Sequence, residues 1–259
     1  MVRRDKSNYI IQSVSHALDV LEEFRGDVDE LGVTELSKKL KLHKNNVFRI
    51  LATLQSRNYI EQNKANDNYR LGIKCLELGQ TFIQQRGMLK QAKPVLRELA
   101  ESCGETAYIS ILRGSDVVYL DSVETSSTVR VVSRLGLHMP IHATAAGKAL
   151  VAFDSEEDLR KRFAKGVSAY TRNTITSVDD LVRHLQESQQ RGYTVDLEEF
   201  EEGLRCIAAP IRDYTRKVIG AMSVSGPAHR LTDEKIGSAI GPEVVRLARE
   251  LSARLGFRD

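Results

Sequence analysis

Hydrophobic positions recur at helical spacing in the first part of the chain and at mixed helical and strand spacing in the rest. Over residues 12–24, Val14, Ala17, Leu18, Leu21 and Phe24 predict a helix with those five on one face. The polar stretch 25–30 ends it, and Thr34 predicts an N-cap for a short helix over 35–40. A longer helix over 44–57 turns Val47, Ile50, Leu51 and Leu54 inward, at i, i+3, i+4 and i+7. That leaves Lys44, Asn45, Phe48 and Arg49 outward, with Asn46 near the boundary. Strand-like stretches at 59–62 and 69–71, joined by the turn signal Asn66–Asp67–Asn68, predict a two-stranded wing.

From 72 to 87 the pattern is helical without turn residues, a connecting helix with Ile73, Leu76, Phe82 and Ile83 apolar. The stretch 89–102 is amphipathic, and Pro94 predicts a helix start near Lys93. Strands are predicted at 106–112, 117–123 and 129–133, with a turn at 113–116. Helices follow at 143–153 and at 156–164, the second capped by Ser155, and at 178–191, stopping at Gly192. Strands at 193–196, 206–211 and 218–225 precede a final helix over 232–255, interrupted near Gly241–Pro242. The reading is an α+β chain: a winged helix-turn-helix domain over 10–72, a linker helix over 73–87, and a sheet-and-helix domain over 88–257.

Composition excludes several classes. A hydrophobic fraction of 41% and a charged fraction of 28% fit a globular protein, and no apolar run reaches membrane-spanning length. Cys75, Cys103 and Cys206 form no CxxC pair, which points to reduced thiols, and residues 1–6 lack a signal peptide's apolar stretch. The expectation is a cytoplasmic protein with no membrane partner. The net charge of +3 is small, but residues 38–70 hold eight basic against two acidic side chains. On a helix-turn-helix pattern, that concentration reads as a phosphate footprint; on its own it is a solvated basic face.

Lys44, Asn45, Asn46 and Arg49 are the candidate base readers, because Asn pairs bidentately with adenine and Arg or Lys with guanine. Lys38, Lys39, Lys41 and Arg57 suit phosphates. Phe48 has two readings, a contact to a thymine methyl or packing beside the first helix, and a protein-binding winged helix is the alternative for the whole segment. In the second domain, residues 142–148 place small side chains at a strand-to-helix junction, where a ligand can approach backbone or the chain can simply pack closely. Asp196, Glu199, Cys206, Ser223 and Ser225 would give a pocket a carboxylate, a thiol and hydroxyls on apolar walls, suited to a small polar metabolite. The acidic run Glu198, Glu199, Glu201 and Glu202 reads as a solvated loop. No motif marks an activated nucleophile, a phosphate loop or a metal site, so no catalytic residue, metal ligand or cofactor is assigned. An enzyme or metal sensor fused to a winged helix, using Cys206 and a histidine, is the alternative.

These blocks together resemble the IclR family of bacterial transcriptional regulators, from about Ile11 to Phe257. Residues 12–21 are similar to its first helix and 42–54 to its recognition helix. Gly192, Asp196, Glu199, Cys206, Ile207, Ala208, Ile211 and Asp213 follow its second-domain signature, as do 142–149 and 220–227; Arg212 departs from it, where an aromatic or His is usual. The resemblance implies a GAF/profilin-like effector-binding domain behind a winged helix. It also implies homodimers or dimers of dimers on double-stranded promoter DNA, and a small-molecule effector, an organic or aromatic acid or a sugar derivative, acting on a regulator that is more often a repressor. By position it carries the effector contacts to Ala145, Ala146, Asp196, Cys206, Ser223 and Ser225, with Ala145 standing for a common glycine. His43, Asn45 and Asn46 replace frequent Ser, Pro or Thr choices in the reading helix.

Overall fold

The computed structural model describes residues 10–25, 28–85 and 87–258, apart from the side chains at 80, 82–85 and 87. The chain forms two compact units, Met1–Gln85 and Arg86–Asp259.

In the first unit, α1 (Gln12–Glu22), α2 (Val33–Leu40) and α3 (Lys44–Ser56) pack around Val20, Phe24, Leu36, Val47, Leu51 and Leu54. The expected apolar stripe of α1 divides. Phe24 joins the core with Val20, whereas Val14 and Leu18 stay 52% and 56% exposed. Gly32, not Thr34, occupies the N-cap of α2, with no side-chain cap. Thr34 is two residues too late, because Val33 is already helical. The tight turn into α3 is set by Lys41 in the left-handed region (φ 54°) and by the Ser37 hydroxyl donating to the Leu42 carbonyl at 2.6 Å. The wing pairs β1 (Ile60–Gln62) antiparallel with β2 (Tyr69–Leu71), and its turn is pinned where Asn63 and Asn66 amides donate to the Glu30 carboxylate, each at 2.8 Å. Helix α4 (Ile73–Gln85) follows, leaving Ile73, Leu76 and Leu78 exposed. Arg86 and the side chains of Phe82 and Ile83, part of the expected connecting helix, lie outside the described residues.

The second unit opens with α5 (Gly87–Cys103), which runs through Pro94 rather than starting at Lys93. Burial of Leu89, Ala92, Val95, Leu96 and Leu99 along one face outweighs the hydrogen bond the proline removes. A six-stranded antiparallel sheet follows, in the order β5-β4-β3-β8-β7-β6. Its strands are β3 (Thr106–Arg113), β4 (Asp116–Val123), β5 (His138–Pro140), β6 (Thr194–Leu197), β7 (Leu204–Arg212) and β8 (Val218–Pro227). The strand expected at 129–133 does not form. That stretch is an irregular loop, tied down where the Thr106 hydroxyl donates to Val131 O and the Tyr108 hydroxyl to Val132 O, each at 3.0 Å.

Two helical layers cover the sheet. Helix α5 lies against β3 and β4 and packs with the last helix, whereas α6 (Ala145–Val151) lies against β6, β7 and β8. Helices α7 (Glu156–Arg162) and α8 (Val178–Arg191) extend the α6 side, and Gly192 ends α8 in the left-handed conformation (φ 83°) expected of a C-terminal glycine. Near the carboxy terminus, α9 (Asp233–Lys235) passes through a π-helical turn (Ile236–Ile240) into α10 (Gly241–Arg254). The interruption expected at Gly241–Pro242 is that turn, with Pro242 in the first turn of α10, where its missing N–H costs nothing.

Candidate functional site

On the first unit, helical periodicity sorts α3 into two faces. Val47 and Leu51 are fully buried, while Lys44, Asn45, Asn46, Phe48 and Arg49 are all exposed on the outside. Phe48 is 56% exposed, open enough on its outer side to meet a ligand. His43 acts as the N-cap, its Nδ1 accepting the Asn45 backbone N–H at 3.3 Å, so its ring faces the helix start. Lys38, Lys39, Lys41 and Arg57 are exposed, with Lys39 paired to Glu23 at 3.3 Å.

In the second unit, strand register brings distant residues into rows. Asp196 pairs with Cys206, Cys206 with Ser225, and Ser225 with Thr106, one row across β6, β7, β8 and β3. The neighbouring row on the same face runs Thr194, Ala208, Ser223 and Tyr108. Side chains alternate along strands, so both rows point toward α6, and Met222, Val224 and Ile207 point away from it. The 141–144 turn folds back tightly on the start of α6 because Gly147 lacks a Cβ; one placed there would lie 2.4 Å from the Ile141 carbonyl oxygen. Thr144 caps the helix, accepting Gly147 N–H at 3.2 Å.

Between the rows, α6 and the 124–137 loop lies a small cavity of about 10 Å3, lined by Tyr108, Tyr119, Arg134, Thr144, Asp196, Phe200, Cys206 and Ser225, among others. Asp196, Cys206 and Ser225 reach that space. Ala145, Ala146 and Ser223 are buried beside it without lining it, and the Ser223 hydroxyl has no hydrogen-bond partner. Arg134, Tyr119, Tyr108 and Phe200 were not among the sequence candidates. The available signal was slight: Arg134 is one of two arginines, with Arg130, in the mostly apolar stretch from Val129 to Leu137.

The electrostatics are those of a buried polar cluster. Lys148, fully buried, donates to Glu199 at 2.5 Å, and burial draws its pKa down against the pull of Glu199. Burial pushes the Asp196 carboxyl up to about 7, opposed by Lys148; its Oδ1 accepts the Glu199 N–H at 2.7 Å. Burial, then Asp196, drives the Cys206 thiol far above its ordinary value, so it stays protonated and a poor nucleophile. His142 donates to or accepts from neighbours other than that thiol, with Nε2 at 2.8 Å from the Ser168 carbonyl oxygen, which makes it the donor there. Among the described residues no group of three or more His, Cys, Asp or Glu is placed to hold a metal ion.

The expected solvated acidic run holds at Glu202, which is exposed, but three of its members are paired. Glu199 meets Lys148, Glu201 meets Arg134 at 2.5 Å, and Glu198 meets Arg205 at 3.5 Å. Arg212 lies 4.1 Å from the Phe153 ring centroid and 5.6 Å from that of Phe257, stacked among aromatic rings.

A winged helix in one unit and an antiparallel sheet with a small polar cavity in the other define a DNA-binding regulator with a sensor-type second domain. The chain belongs to the IclR family. The family's helix-turn-helix domain matches residues 13–64, and the domain described as "Bacterial transcriptional regulator IclR C-terminal" matches 80–253. It is 34% identical over 249 residues to the HTH-type transcriptional regulator XynR of Escherichia coli, covering 96% of this chain and 98% of that one. It is also 34% identical over 249 residues to the transcriptional repressor IclR of Escherichia coli, covering 95% and 90%. The crystal structure of a transcriptional regulator from a Rhodococcus species superposes with a TM-score of 0.87 at 28% identity, covering 95% of this chain and 99% of that one.

Proposed function

We propose that this regulator is a repressor that reads promoter half-sites through α3 and answers to a small organic acid held in the 88–257 domain. The observation that carries the reading is the exposed polar edge of α3, where Lys44, Asn45, Asn46 and Arg49 stand together on a helix whose other face is core. Lys38 and Arg57 take phosphates, and Phe48 contacts a thymine methyl. Ala145, Ala146, Asp196, Cys206, Ser223 and Ser225 form the effector site, supported by the two cross-strand rows that gather Asp196, Cys206, Ser223 and Ser225 and by α6, which packs over them. Helix 73–87 links the 10–72 and 88–257 domains and carries the coupling.

The chain works as a homodimer or dimer of dimers on a palindromic operator. Supporting this, Val14 and Leu18 on α1 and Leu78 on α4, all more than half exposed, border an apolar groove of about 440 Å3. The relatives include a named repressor, which favours repression. No helix of the described residues is long and apolar enough to cross a membrane, and the cytoplasmic assignment rests on the DNA target. The buried, protonated Cys206 speaks against the enzyme alternative. The test is promoter binding across several salt concentrations. Asn45→Ala and Arg49→Ala should lose sequence discrimination, while Asp196→Ala and Ser225→Ala keep DNA affinity and lose the effector's influence. Wild-type discrimination in both α3 variants would refute the reading helix.

A further inference from the structure

The cavity contains one feature that the rows alone do not explain. Arg134 lines it from the loop side, with only 21% of its side chain exposed, its guanidinium 5.7 Å from the Phe200 ring centroid and donating to Glu201 at 2.5 Å. Glu201 is 54% exposed. The two partners are therefore unequal. Glu201 can return to water at little loss, whereas Arg134 is turned inward from the loop and needs an anion beside it.

We infer that Arg134 is the anchor for the effector's carboxylate, and that Glu201 is a built-in placeholder which the carboxylate displaces. The inference rests on the effector-pocket reading. A guanidinium offers a planar pair of N–H donors that match a carboxylate bidentately, and it is the cation nearest the cavity whose partner is free to leave. Lys148 is no substitute, because its partner Glu199 is itself buried. The remaining polar groups suit an effector hydroxyl: Ser225 and Asp196 line the cavity, and the Ser223 hydroxyl beside them is buried and unpartnered.

Space supports an exchange rather than simple addition. A cavity of about 10 Å3 is at the lower limit for a single water, so any effector must push the loop side outward. That side is fastened by a few polar ties. Besides the Thr106 and Tyr108 bonds, Arg230 pairs with Glu105 and donates to Val129 O at 2.8 Å. Breaking the Arg134–Glu201 pair frees the loop where it meets the 198–202 turn, and so couples acid binding to a change in shape.

The test is calorimetric titration of the full-length protein with glycolate, gluconate and mandelate, each beside its neutral amide. At least one acid should bind, with its amide at least tenfold weaker. Arg134→Gln should weaken that acid at least tenfold, and Glu201→Gln, which removes the competing anion, should tighten it severalfold. The opposite directions of these two variants separate an anchor from a residue that merely supports the fold. Ser225→Ala serves as the pocket control. If Ser225→Ala weakens the acid and Arg134→Gln does not, the pocket stands and the anchor is refuted. If neither variant alters binding, the acid sits elsewhere and both readings fail. An acid and its amide binding equally, or no acid binding at all, also overturns the assignment.

Discussion

Helix α3 and the cavity of the second unit carry polar side chains in opposite circumstances. On α3, Lys44, Asn45, Asn46 and Arg49 stand in water with nothing fixing them but a helix packed from behind. In the second unit, Lys148, Asp196, Glu199 and Ser223 are each less than 5% exposed; Lys148 pairs with Glu199 and Asp196 accepts the Glu199 N–H, whereas the Ser223 hydroxyl has no partner among the described residues. The difference lies in what sets each group's energy. A solvated side chain can be exchanged without loss of fold and contributes only when DNA arrives. A buried one is part of the fold before any ligand arrives, so its substitution disturbs stability and function together.

The comparison is sharpest at Lys148. Lys148→Met removes the cation and leaves Glu199 charged and buried, one of whose oxygens already lacks a partner. The expected loss is about 3–5 kcal/mol in the unfolding of the second unit, measured by urea denaturation followed by circular dichroism. The double variant Lys148→Met, Glu199→Leu should recover much of it, because two apolar groups leave no charge stranded. A double variant as unstable as the single one would show that packing, not charge, holds this site.

Asp196 gives the next largest effect, through pH. Its carboxyl is raised from 3.8 to about 7, so between those values the folded protein keeps a proton that the unfolded chain releases. Stability from this group is therefore full below about pH 4 and is lost as pH rises to about 7, the reverse of an ion-paired carboxylate. At about 1.4 kcal/mol per unit the ceiling is about 4 kcal/mol, reduced by the attraction of Lys148. Glu199 and Cys206 face the same carboxyl, so the informative quantity is the difference between wild type and Asp196→Asn across pH 4–8. A difference that stays flat would mean Asp196 remains charged throughout.

Gly147→Ala tests backbone proximity alone. The new Cβ would meet Ile141 backbone atoms at 2.4 and 2.5 Å, and neither can swing aside. A loss of about 1–3 kcal/mol is expected, with the melting temperature of the second unit falling and that of the first unchanged.

These contrasts also explain what could be read from the residues. The helix-turn-helix was legible because its core residues are close in sequence and repeat at helical period: Val47, Leu51 and Leu54 are buried as the spacing required. The failures there were local, such as Thr34 two positions past the true cap and Val14 turned away from the core. In the second unit, the individual strands were legible but their register was not. Nothing in the order of residues says that Asp196, Cys206 and Ser225 share a row, since the row is made by pairing β6, β7 and β8. Glu199 looked solvated because its partner lies 51 residues earlier on a helix of small side chains. Arg134 was hidden in a stretch whose alternating apolar residues suggested a strand, and the loop there is fixed by side-chain bonds from Thr106 and Tyr108 that periodicity does not encode.

The smallest change in stability belongs to α3, and it completes the comparison. Arg49→Ala and Asn45→Ala delete exposed side chains, so each should shift unfolding by no more than about 0.5 kcal/mol. Asn45 needs a qualification: its backbone N–H, not its side chain, is bonded to His43, so the alanine keeps the cap. On the operator, each variant should lose about 1–3 kcal/mol of discrimination between the correct base and its competitors. Arg57→Ala should instead weaken all sequences alike and reduce the salt slope by about one unit, as loss of a phosphate contact does. Fluorescence anisotropy with operator and scrambled duplexes at several salt concentrations separates the two behaviours. If Arg49→Ala lowers affinity for both duplexes equally, Arg49 contacts backbone, and base reading passes to Lys44, Asn45 and Asn46.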